Sequence, residues 1–194
     1  MFFLTPDHIN WIDTIIWDFC FQNDVNTEDT DNINTKGNET KIKVGDNPID
    51  FKFQDNKNGI FKLSDLLGKK NIVIYFYPKD FTPGCTIEAE EFSRDYQKFK
   101  DANIEIIGIS PDSDDSHLKF RDKMNIPYML ASDAENDISK KFGVYGQKKF
   151  MGREYLGVNR STFLVNKTGK IVKVYDKVKP KGHSEEVLRF FESI

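Results

Sequence analysis

Two stretches of this chain, Asn71-Ile72-Val73-Ile74-Tyr75-Phe76-Tyr77 and Ile104 to Ser110, are apolar almost without interruption, and that pattern narrows the available folds more than any other feature. A strand with one face in water alternates polar and apolar residues. A run that does not alternate is covered on both faces. Between the two runs, Cys85, Ala89, Phe92, Tyr96 and Phe99 follow spacings of four, three, four and three, the inward stripe of a helix. Strand, helix and strand of these lengths make a parallel crossover unit, with the first run expected at the centre of its sheet.

The remaining punctuation extends this unit. Residues 50–54 read as a strand, 56–59 as a turn, and 63–67 as a short helix begun by Ser64. Helices are expected over 114–124 and over 137–142, the latter closed by Gly143, with a short strand over 128–131 between them. Residues 161–165 and 170–175 flank a turn at Asn166 to Gly169 and form a hairpin. A last helix is expected over 184–191, with Ser184 as its N-cap. The whole reads as α/β, a central mixed sheet with helices on both faces.

Three segments are expected. Residues 1–22 carry Trp11, Ile12, Ile15, Ile16 and Phe19 at helical spacing, with Cys20 near the end of that amphipathic helix. Residues 23–42 are dominated by Asn, Asp, Thr and Glu and read as a flexible polar linker. The compact domain is then 43–194.

Charge and cysteine content exclude several classes. Residues 1–35 hold seven acidic residues and no Lys or Arg, leaving 28 basic against 24 acidic residues in the remainder. So weak a basic excess is far from the concentrated patch of a nucleic-acid binder. Two cysteines with three scattered histidines make neither a disulfide framework nor a zinc site, so no metal and no cofactor is expected. No run reaches the roughly 18 to 20 apolar residues that span a bilayer, and the acidic N-terminus makes a poor secretory or transit signal. By elimination the chain is expected inside the cell, in the cytoplasm, with the nucleus or an organelle left open.

The chemistry is expected where the first apolar run ends. It breaks at Pro78, and a helix begins near Cys85. A free thiol has a pKa of about 8.5, so only roughly 3% is thiolate at neutral pH. Unpaired N–H groups and the helix dipole favour an anion at such a position by roughly 0.3 to 1 kcal/mol, and by about 2 when partly buried. Pro83 suits the first helical turn, and Gly84 lets the backbone approach closely. The thiol heads the inward face of its helix, recessed but not sealed.

Pro78-x-x-x-Thr82-x-x-Cys85 resembles the active-site motif of peroxiredoxins. The fuller string Phe76-Tyr77-Pro78-Lys79-Asp80-Phe81-Thr82-Pro83-Gly84-Cys85-Thr86 with Glu88 is similar to their Q-type branch, also called bacterioferritin co-migratory proteins. The resemblance runs from about Val44 to the C-terminus. Gly157-Val158-Asn159-Arg160-Ser161-Thr162-Phe163-Leu164-Val165 resembles the segment with the family's active-site arginine. It implies a thioredoxin-like fold and reduction of hydrogen peroxide or small organic hydroperoxides, with Cys85 attacking as thiolate and becoming sulfenic acid. In that scheme Arg160 and Thr82 donate to the sulfur and the peroxide oxygens, Pro78 shields the sulfur from water, and Gly84 leaves space beside it. Ionisation alone is worth only about 30-fold over a free thiol, so donors at the leaving oxygen must supply most of the acceleration. Glu88 reads equally as a family residue and as a first-turn carboxylate on the helix dipole. Glu88, Glu90 and Glu91 oppose the thiolate, which Arg160 must outweigh. His8, His117 and His183 read as surface residues.

The chain departs from the family at one functional position. Many Q-type members carry a resolving cysteine five residues after the reactive one, where this chain has Glu90. Cys20 is the remaining candidate for resolution, and a linker of about twenty residues reaches roughly 25 Å, which permits contact without specifying it. A one-cysteine cycle completed by glutathione, thioredoxin or glutaredoxin is the expectation, in a monomer or weak dimer. Two rival readings remain: a redox sensor or interaction protein using the same cysteine, and a thioredoxin-type disulfide reductase, which normally needs Cys-x-x-Cys.

Overall fold

In the computed structural model, which describes residues 42–55, 59–150 and 152–194, the elements run as follows. Strands β1 (Lys52–Asp55) and β2 (Gly59–Lys62) precede a 3-10 turn (Leu63–Asp65) and β3 (Asn71–Phe76). Then come α1 (Pro83–Asp101), β4 (Ile104–Ser110), α2 (Asp114–Met124), β5 (Met129–Ser132) and α3 (Asp137–Phe142). The chain closes with β6 (Tyr145–Phe150), β7 (Arg153–Val158), β8 (Ser161–Val165), β9 (Ile171–Asp176) and α4 (His183–Glu192).

The apolar run at β3 takes the place its composition demands, the middle of a five-stranded sheet ordered β5-β4-β3-β8-β9. It pairs in parallel with β4 and antiparallel with β8, so the sheet is mixed. Alternate residues of β3 feed two cores. Ile72, Ile74 and Phe76 pack with Phe53, Phe142 of α3 and Phe163 on one face. Val73, Tyr75 and Tyr77 pack on the other with Cys85, Ala89 and Phe92 of α1, Phe120 of α2 and Val187 of α4. Helices thus cover both faces, and the sulfur sits at the edge of the second core.

Close approach between neighbouring strands fixes one position. Tyr75 lies opposite Gly108 in the parallel register. A Cβ on Gly108 would stand 2.6 Å from the Tyr75 hydroxyl oxygen, which hydrogen-bonds that of Tyr128 at 3.0 Å.

Several expectations are corrected. His117 and His183, read as surface residues, are each only 2% exposed. Each has found a buried partner: His117 Nδ1 lies 2.9 Å from an Asp80 carboxylate oxygen, and His183 Nε2 lies 2.9 Å from the Thr162 hydroxyl. Burial holds His183 at a pKa of about 4, well below the ordinary histidine value. Ser184 does not cap α4, whose N-cap is Gly182 in a left-handed conformation (φ 82°). It is the second residue of the helix, buried, and its hydroxyl donates to Asp95 at 2.9 Å, tying α4 to α1. The antiparallel pairs β1–β2 and β6–β7 were not foreseen. The first strand of the former pair was expected, but β2 and β7 are largely exposed and carry no clear apolar period.

Ile42, assigned to the end of the linker, is a core residue at 6% exposure. The expected N-terminal helix with Cys20 and His8, and the rest of the linker, lie outside the described residues. No helix among the described residues is long and apolar enough to cross a membrane. Gly108→Ala is expected to lower unfolding free energy by about 1 to 3 kcal/mol, because the Tyr75 ring must move; urea denaturation measures it.

Candidate active site

The register between β3 and β8 builds the site. Phe76 pairs with Ser161, so the residues just beyond the end of β3 and just before the start of β8 meet at one edge of the sheet. Cys85 and Arg160 are 75 positions apart in the chain, yet Arg160 Nη2 donates to Cys85 Sγ at 3.1 Å. Proline ends the strand at Pro78, which is half-buried. Thr82, in an extended conformation (φ −77°, ψ 148°), caps the start of α1, and Pro83 follows inside the first turn.

Cys85 is 2% exposed, deeper than the recess the sequence suggests. Arg160 lies between two anions. Its second guanidinium nitrogen, Nη1, makes a short hydrogen bond to Glu88 Oε2, and Glu88 stands one helical turn beyond the sulfur. A position three residues along shares the face of a helix, so the carboxylate that balances the dipole reading against the family reading is in fact 1% exposed and ion-paired. The Val178 N–H donates to the Arg160 carbonyl at 3.0 Å, fixing the backbone from the segment after β9.

Gly84 leaves this guanidinium its space. A Cβ there would come 3.3 Å from Arg160 Nη2 and 3.4 Å from Pro180 Cγ, tighter than ordinary contact. Thr82 uses its hydroxyl differently from an ordinary cap: Oγ1 donates to the Lys79 carbonyl at 3.0 Å and makes no bond to its own helix. That leaves its lone pairs, and a hydroxyl that can re-aim, beside the first turn.

Burial pushes the Glu88 carboxyl up to about 6, against the opposing pull of Arg160. Burial alone would lower the Arg160 pKa, but the Cys85 sulfur and Glu88 carboxylate raise it above the ordinary arginine value, so the cation is permanent. Glu88 Oε1 is buried and has no hydrogen-bond partner among the described residues. Lys148 of β6 feels the same cluster: burial and then the Arg160 charge lower its pKa, while Cys85 raises it. Sequence reading missed Lys148 because its hairpin was not foreseen.

Among the described residues, no group of three or more His, Cys, Asp or Glu side chains could hold a metal. Glu90, at the position of a resolving cysteine in many Q-type members, is exposed on α1. Cys20 lies outside the described residues.

A family model for the AhpC/TSA family matches residues 44–174. The chain belongs to that family. Among its members, Peroxiredoxin Bcp of Bacillus subtilis is 44% identical over 148 residues, covering 76% of this chain and 94% of the relative. A PrxQ structure from Xylella fastidiosa superposes with a TM-score of 0.75 at 33% identity, covering 80% of this chain and 98% of that one. The bacterioferritin comigratory protein of Xanthomonas campestris, described for its alkyl peroxide reduction activity, superposes with a TM-score of 0.71 at 33% identity, covering 80% and 98%. The thioredoxin-like fold of this AhpC/TSA member is thereby shared with solved peroxiredoxins.

A raised carboxyl pKa has a definite thermodynamic sign. The folded chain binds the Glu88 proton more tightly than the unfolded chain does, so this group's contribution is fully present below pH 4.5 and is lost as pH rises through about 6. Urea titrations of wild type and Glu88→Gln across pH 4 to 7 are expected to show the wild type losing about 2 kcal/mol relative to the variant over that window.

Proposed function

We propose that Cys85 is the sulfur through which this chain, a thiol-dependent peroxidase by family, reduces hydrogen peroxide and small organic hydroperoxides. The observation that carries the assignment is the Arg160 guanidinium at 3.1 Å from Cys85 Sγ, at the head of α1. The thiolate attacks one peroxide oxygen, an S–O bond forms as the O–O bond breaks, and the other oxygen leaves with a proton as water or alcohol. Sulfur is oxidised by two electrons to sulfenic acid. Charge develops on the leaving oxygen, where Arg160, a re-aimed Thr82 hydroxyl and the backbone N–H groups of the first turn of α1 are the available donors. Glu88 holds the guanidinium in the plane that faces the sulfur, and Gly84 leaves it the space. Pro78 ends the strand beside the thiol and keeps bulk water from it.

Regeneration follows from Glu90. With no thiol at that position on α1, an external thiol attacks the sulfenic sulfur, releases water and forms a mixed disulfide, and a second thiol restores Cys85. Glutathione, thioredoxin and glutaredoxin supply such thiols, and a reducing intracellular compartment keeps them available. The alkyl peroxide activity described for the Xanthomonas campestris relative supports organic hydroperoxides as substrates.

Stopped-flow mixing of reduced protein with hydrogen peroxide tests the assignment. Cys85→Ser is expected to abolish peroxide consumption, and Arg160→Met and Thr82→Val each to lower kcat/KM by about 10² to 10³, as for loss of one preorganised donor. A Cys85→Ser protein with wild-type turnover would refute it. Mass spectrometry of peroxide-treated protein in the presence of glutathione is expected to find a single glutathione adduct on Cys85. A Cys20–Cys85 disulfide in its place would overturn the external-thiol cycle.

A further inference from the structure

The site's chemistry, as proposed, makes no use of Asp80, although this carboxylate is only 3% exposed and lies two residues before Thr82. Its Oδ1 accepts from the Tyr77 hydroxyl at 2.8 Å. Its Oδ2 accepts from the Ser116 hydroxyl at 2.8 Å and from His117 Nδ1 at 2.9 Å. Its backbone N–H donates to Asp112 Oδ2 at 2.8 Å, and that oxygen also accepts from the Ser110 hydroxyl at 2.7 Å. The loop joining β3 to α1 is thus gripped by the end of β4 and the first turn of α2.

The grip is not a helix cap. α2 is capped by the Ser113 side chain, which accepts from the Ser116 N–H. His117 turns its Nδ1 to Asp80, with the Tyr77 hydroxyl 3.4 Å from the same nitrogen, and its buried Nε2 has no partner among the described residues. Asp80 is the carboxylate paired with this histidine. The next residue, Phe81, has φ +60°, a conformation that costs a bulky side chain energy unless its surroundings impose it. Its ring is held edge-on against Phe120 of α2 at 5.1 Å between centroids. Asp80 and Phe81 are both fastened to α2, and the strained turn between them and Pro83 sets where Thr82 points.

We infer that the buried Asp80–His117 pair is a positioning device for the Thr82 hydroxyl and the first turn of α1, governing oxygen transfer from peroxide without governing the sulfur's reactivity as a nucleophile. The two functions are held from different sides. The cation at the sulfur comes from Arg160, anchored by Glu88 and the start of β8. The donor for the peroxide comes from a loop anchored to α2. Misplacing a reacting group by about 1 Å can cost about 10²-fold in rate. An electrophile that needs only the thiolate, such as iodoacetamide, is indifferent to that displacement.

The inference rests on the reading of Thr82 given above, and the experiment separates the two. In the full chain, His117→Leu removes the donor to Asp80 while keeping apolar bulk, and His117→Asn keeps a side-chain N–H near the place of Nδ1–H. Second-order rates of Cys85 are measured with hydrogen peroxide and with iodoacetamide. For His117→Leu the peroxide rate is expected to fall by about 10-fold or more, the iodoacetamide rate to stay within about two-fold, and His117→Asn to recover most of the loss. Ser116→Ala, which deletes another donor to the same carboxylate with little change of shape, is expected to show the same bias more weakly, and it decides the question if His117→Leu does not fold. A wild-type peroxide rate in the variants, a parallel fall of both rates, or no recovery in His117→Asn overturns the inference. Thr82→Val at the wild-type peroxide rate overturns the reading of Thr82 and this inference together, whereas an impaired Thr82→Val beside an unimpaired His117→Leu overturns this inference alone.

Discussion

A guanidinium mostly withdrawn from water is met by negative charge, and the arrangement around Arg160 supplies it. Its two terminal nitrogens reach the Cys85 sulfur and the Glu88 carboxylate, both on one face of α1. An unpaired charge at this depth would cost several kcal/mol, so the cation and its partners are retained as a unit. One consequence is chemical: the sulfur shares a permanent cation with a carboxylate that competes for it. Another is structural, because the contact ties α1 to the start of β8 across the sheet.

The sheet makes that contact possible. Pairing of Phe76 with Ser161 brings the ends of two apolar strands into register, and whatever follows one and precedes the other must share the same edge. Pro78 stops the first strand there. Gly84 then removes the one Cβ that would press on the guanidinium. The meeting of guanidinium and sulfur is a consequence of strand ends, proline and a missing side chain, with no dedicated element added to form it.

The loop from Pro78 to Thr82 depends on polar contacts where the core depends on packing. A buried carboxylate accepting from two hydroxyls and an imidazole is well satisfied, and each of those donors would be costly to strand. The Phe81 backbone is held in its strained form only while these contacts and the Phe120 ring persist. The guanidinium that reaches the cysteine is thus held by Glu88 and the start of β8, while the loop that carries Thr82 is held by Asp80 against α2. Glu90 adds a third constraint, since α1 carries no second thiol to close on the first.

Much of this was legible in the chain. The central strand was evident from an apolar run that never alternates, the extents of α2 and α3 were read from the chain with Gly143 closing the second, and Cys85 stood out from the break at Pro78 and its place at the head of an inward stripe. These are local properties: side-chain periodicity and backbone restrictions act over a few residues, and the sequence contains them whole. Resemblance to a known family then located Thr82 and Arg160. What stayed hidden was whatever depends on partners far along the chain. Glu88 could not be told from a dipole carboxylate until Arg160 stood beside it, His117 and His183 passed for surface residues until Asp80 and Thr162 were found facing them, and the β6–β7 hairpin has no apolar face to announce it. Burial of a polar group is settled by whether a distant residue satisfies it, and only the tertiary structure decides which residues are brought together.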